Sequence, residues 1–157
     1  MMGEYFKLGL TVLLAMLLIW AAVTDLKSRI ISNRLNIAIA LLAPIYWIAC
    51  DLPVWPGMAV QLILAVSVFM VFAFLFAQGW MGGGDVKLLV ALALWFPPMA
   101  VLSMLTLMAL LGGGVTIATV VHHRMTRRLG QPEIPYGVAI ALAALWLVGE
   151  RYINQFA

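Results

Sequence analysis

Long apolar runs separated by short polar interruptions fill the chain. They fall at about 6–24, 35–50, 58–77, 86–96, 99–121 and 136–149. A helix needs about 20 apolar residues to cross a bilayer, so the first, third and fifth runs are long enough by themselves. The second and sixth are short. The fourth is only about three turns long before Pro97-Pro98 stops it, and it reads as a short span or a re-entrant segment. The pattern predicts an all-α polytopic membrane bundle of about six helices, forming one membrane-embedded domain over residues 1–157.

Composition strengthens this reading. The chain is 66% hydrophobic and 10% charged, with a mean hydropathy of +1.11. A soluble domain carries about a quarter charged residues. The first run, Phe6 to Thr24, is long for a signal peptide and weakly charged ahead of it, so it reads as a retained span. The single cysteine, Cys50, cannot form a disulfide within the chain and leaves no four-cysteine zinc site.

The net charge of +3 concerns orientation rather than nucleic acid. Six spans put both termini on one side. With the termini outside, Lys27, Arg29, Arg34, Lys87, Arg124, Arg127 and Arg128 fall inside, against Lys7 and Arg151 outside. This is the positive-inside bias, and it gathers "TDLKSRIISNRLN", "QGWMGGGDVK" and "HHRMTRRLGQPEIP" at the cytosolic face.

Two of the six acids, Asp25 and Asp85, sit against apolar helix at that face. Ionisable residues in a membrane commonly mark function. Two adjacent carboxylates cannot both ionise cheaply, so one can act as acid and the other as base. Such a pair can activate a water against a peptide carbonyl. Gly82 and Gly84, lacking side chains, would let a substrate strand approach beside Asp85. Asp85 opens the fourth span, where a helix N-terminus favours the carboxylate, and Asp25 closes the first, which suggests that Asp85 rests ionised and Asp25 protonated. A plainer reading stands beside this one: Asp85 as an N-cap, and Asp25 as an interfacial residue paired with Arg29. Two other functions stay open, a small proton-coupled transporter using the acids as a relay and a non-catalytic membrane subunit.

The remaining features read as structural. Gly112-Gly113-Gly114 has no acid beside it and suggests a packing face between helices. His122 and His123 point about 100° apart on a helix, where neighbours rarely share a ligand site, and they read as structural or interfacial. Trp20, Trp47, Trp55, Trp80, Trp95 and Trp146 lie mostly near span ends, as an aromatic belt would.

Three stretches together resemble the type IV prepilin peptidases, which are GxGD membrane aspartyl proteases. Gly82-Gly83-Gly84-Asp85 with "VKLL" is similar to the family signature, "TDLKSRIISN" to the segment holding the first catalytic aspartate, and "IPYGVAIA" to the opening of the last helix. The resemblance implies a catalytic pair of Asp25 and Asp85, needing no metal or other cofactor. It implies a substrate-binding surround of Asn33, Gly82, Gly83, Gly84, Lys87, Pro135 and Gly137. Ser32 stands where the family usually has proline, which bears on the shape of that loop. The chain lacks the family's long cysteine-bearing loop, so it resembles the compact form associated with Flp (tight-adherence) pili and implies a peptidase alone. The implied reaction removes a short basic leader from a prepilin at the cytosolic face of the bacterial inner membrane. The basic loops would repel that leader, which makes anionic membrane lipid the expected second partner.

Overall fold

The computed structural model describes residues 2–125 and 136–156. Every regular element among them is a helix: α1 (Met2–Ser28), α2 (Asn33–Ala49), a π turn (Val54–Met58) leading into α3 (Ala59–Ala77), α4 (Gly83–Ala93), α5 (Pro98–Met125) and α6 (Tyr136–Phe156). The expected spans reappear as these six helices. Three segments are long and apolar enough to cross a membrane by length and composition: Gly3–Ser28, Val54–Ala77 and Pro98–Ile117.

α4 has 11 residues, a length of about 16 Å, against about 30 Å for the hydrocarbon core. Its surroundings make so short a helix tenable. α2, α3 and α6 all pack on it, and Leu88, Leu89, Leu92 and Ala93 are fully buried. Helix ends at membrane depth are tolerated where protein encloses them. α4 also begins earlier than the apolar run suggests, which takes Asp85 into its first turn.

Side-chain spacing fixes how the others face it. Leu10, Leu14, Leu18, Ala21 and Asp25 are all buried. Their spacing of four, four, three and four makes them one stripe on α1. Phe6, Met16, Ile19 and Trp20 lie on other faces and are exposed, as suits lipid contact. On α2 the buried stripe is Leu35, Asn36, Ile39, Ala43, Tyr46 and Trp47. Ser32 caps this helix, its side-chain oxygen accepting from the Leu35 N–H at 3.3 Å. Its φ of −67° is the value a proline ring imposes, so the serine leaves that backbone dihedral as proline would set it.

Two tryptophans expected in an interfacial belt instead join α2 to the C-terminal end of α4. The Trp47 indole donates to the Leu94 carbonyl at 2.7 Å, and the Trp95 indole to the Ile39 carbonyl at 2.9 Å. Tyr46 and Trp95 stack at 5.0 Å between ring centres. Both tryptophans are buried, whereas Trp20, Trp55, Trp80 and Trp146 are exposed. The second glycine triplet is also only partly a packing face. Gly112 lies against the Tyr136 ring and Ala139 of α6, while nothing approaches the Cβ positions of Gly113 and Gly114.

α6 runs from beside Asp25, where Val138 meets it, to Arg151, whose guanidinium lies 5.5 Å from the Tyr46 ring centre. Its far end is therefore near the C-terminus of α2, the end of the bundle that also holds the start of α1. One end carries Asp25 and Asp85; the other carries Glu4, Asp51 and Glu150.

Candidate active site

Asp25 continues the buried stripe of α1 and is 5% exposed. Its Oδ2 accepts the Val138 N–H at 3.0 Å, with a contribution from the Gly137 N–H. These are free donors of the first turn of α6. The contrast expected from the helix ends, with only Asp85 at a helix N-terminus, is therefore absent. Asp25 closes its own helix but meets the start of another. This approach requires glycine at 137, where a Cβ would lie 2.8 Å from Asp25 Cγ and Oδ2 and 2.6 Å from Ile31 Cδ1.

Arg29 follows α1 in the left-handed region, at φ 56°. Its N–H donates to the Asp25 carbonyl at 2.9 Å, which turns the chain sharply out of the helix. The guanidinium also acts electrostatically on the Asp25 carboxyl.

Asp85 is the third residue of α4, and Gly82 is the N-cap. The plainer expectation of Asp85 as the N-cap itself does not hold. Its carboxyl instead folds back to the Gly82 N–H, the acidic half of a capping box. A Cβ on Gly82 would lie 2.9 Å from Asp85 Oδ2. The other two glycines each have their own neighbour. A Cβ on Gly83 would come 3.3 Å from the Phe76 ring, and one on Gly84 3.3 Å from Ile31 Cβ and its carbonyl oxygen. Close packing within the chain occupies the room left by these missing side chains.

The two carboxylates interact electrostatically and line one cavity of about 640 Å³, together with Ser28, Arg29, Gly82 and Tyr136. Asn33 and Lys87 lie elsewhere. The Lys87 ammonium donates to Asn33 Oδ1 at 2.8 Å. Both residues line a separate, largely apolar trough of about 460 Å³ between α2, α3 and α4. The structure thus groups Asp25, Asp85 and Gly82, with Gly137 against Asp25, and sets Asn33 and Lys87 apart. Pro135, Arg127, Arg128 and Glu133 lie outside the described residues, as do the side chains of His122 and His123. Among the described residues no three His, Cys, Asp or Glu side chains come together as metal ligands.

Sequence reasoning passed over two residues near these groups. Tyr136 lines the cavity from within "IPYGVAIA". Asn36 is 5% exposed, and its Nδ2 donates to the Gly84 carbonyl at 3.1 Å. Its signal was a polar side chain at a position where the α2 stripe calls for an apolar one.

No curated protein and no solved structure matches the chain. The model of the type IV leader peptidase family matches residues 12–117, which include Asp25 and the glycine loop with Asp85 but stop short of α6. With a membrane-type helix bundle, two carboxylates lining one cavity and well over half its length matched, the chain is a peptidase belonging to the type IV leader peptidase family.

Proposed function

We propose that the protein is an aspartic endopeptidase that removes the short basic leader of a prepilin, using Asp25 and Asp85 at the cytosolic face of the bacterial inner membrane. The observation that carries this is the shared cavity: residues 60 positions apart in sequence, on α1 and α4, present carboxylates to one space. In the proposed reaction the pair holds one proton and a water. The ionised carboxylate takes a proton from the water, whose oxygen bonds to the scissile carbonyl carbon. The protonated partner gives its proton to the carbonyl oxygen. Collapse of the tetrahedral intermediate breaks the C–N bond, and a proton passes to the departing amine. The Val138 and Gly82 N–H groups orient the two carboxyls. Two interacting carboxyls share their titration, so the single proton belongs to the pair.

Lys27, Arg29, Arg34 and Lys87 fall in or beside the segments that bear the two aspartates. This supports a cytosolic site by the positive-inside bias, with both termini outside. The proposed substrate surround keeps Gly82, Pro135 and Gly137, while Asn33 and Lys87 join α2 to α4 at the separate trough, and anionic lipid would hold the leader near the basic loops. A transmembrane proton relay has less support. Such a path needs acids spaced through the bilayer, whereas those described lie at its two ends.

The test is co-expression with prepilins in a host lacking its own leader peptidase, followed by N-terminal sequencing of the product. Trimming by the wild type that is lost in both Asp25→Asn and Asp85→Asn is the expected result. Trimming that survives either substitution removes that aspartate from the reaction.

A further inference from the structure

Asn36 occupies a position on α2 where folding alone favours an apolar side chain. It lies on the buried stripe with Leu35, Ile39 and Ala43. Its Oδ1 is buried without a hydrogen-bond partner, a condition that opposes stability. An apolar side chain there would avoid that cost. The adjoining trough, which Asn36 itself lines with Ile37, Ala40 and Val90, leaves room for a somewhat larger one.

The compensating feature is the other end of the amide. Asn36 Nδ2 donates to the Gly84 carbonyl, the peptide group that leads directly into Asp85. One helical turn away, the Lys87–Asn33 bond ties the same two helices. Gly84 packs on the backbone of Ile31, in the segment that joins α1 to α2. The first turn of α4 is therefore held from the α2 side at several points. Asn36 is the buried one, placed next to the peptide that aims the carboxylate.

We infer that Asn36 is a positioning residue: its amide holds the Gly84 carbonyl and thereby fixes the α4 turn that presents Asp85 to Asp25. This rests on the reading of Asp85 as a member of the reacting pair. Asn36 is not among the residues that line the cavity shared by the two aspartates. Its effect reaches the chemistry through the backbone, where small displacements of a reacting group carry large rate penalties.

The experiment compares the wild type, Asn36→Leu and Asn36→Gln in detergent, measuring kcat and KM for a prepilin together with the thermal midpoint. Cleavage by the wild type that is lost in Asp85→Asn secures the underlying reading, so its failure is distinguishable from failure of this inference. For Asn36→Leu, kcat should fall by about tenfold to a hundredfold, with KM within twofold and a midpoint equal to or above wild type. Asn36→Gln keeps an amide donor and should recover part of kcat. Asn36→Leu with wild-type kcat overturns the inference. So does a rise in KM in place of the fall in kcat, which would mean substrate contact. A Leu variant that fails to fold or melts earlier also overturns it, since the residue would then serve stability.

Discussion

At Gly137 a single hydrogen atom separates a working geometry from a collision. A methyl group there meets both the Asp25 carboxyl and Ile31, so the carboxyl would have to leave its place beside the Val138 N–H. Gly137→Ala should cost about 1–3 kcal/mol through overpacking and lower leader cleavage at least tenfold. Gly113 is the matched control, because nothing lies within 4 Å of its Cβ position. Gly113→Ala should leave cleavage unchanged and raise helix stability by up to about 1 kcal/mol. Denaturation in detergent read alongside activity separates the two. An equal response at both positions would show that the close approach at Gly137 has no consequence.

At the scale of the elements, the short α4 depends on its neighbours. The paired indoles of Trp47 and Trp95 bind the α2–α4 seam near the C-terminal end of α4, while Asn36 and Lys87 bind it near the start. Trp47→Phe removes one donor and leaves the Leu94 carbonyl without it, at a cost of about 1–3 kcal/mol. Trp20→Phe, at an exposed position, should stay within about 0.5 kcal/mol. Thermal melts of the two variants test this, and equal melts would return Trp47 to the interfacial belt.

The same seam shows where sequence reading works and where it fails. Lipid forces every backbone group into helices, so apolar run lengths located all six. The apolar run of α1 placed Asp25 at its end, directly against the helix, and the glycine triplet marked the start of α4 ahead of Asp85. A tryptophan near a span end, however, fits an outward belt and an inward clasp equally well. Only the neighbouring helix decides between them. The same holds for the Val138 N–H on Asp25, a contact across 113 residues that no local period encodes.

Among the described residues the acids and bases fall at the two ends of the bundle, and that distribution supports the orientation proposed above. Cysteine accessibility can test it. In a Cys50→Ser background, Ser28→Cys and Val54→Cys place exposed thiols at the aspartate end and the opposite end. A membrane-impermeant maleimide added to intact spheroplasts should label Val54→Cys, and Ser28→Cys only after the membrane is opened. The reverse pattern would invert the topology and put the cavity outside.

The partnership of Asp25 with α6 also has a meaning in time. During synthesis Asp25 leaves the ribosome 113 residues ahead of the Val138 N–H that orients it, an interval of roughly 6–23 s. α6, which packs on both α1 and α4, is the last of the six helices to be made. Until then the unfinished chain lacks the Val138 N–H, and the Asp25 carboxyl gains that partner only as α6 docks.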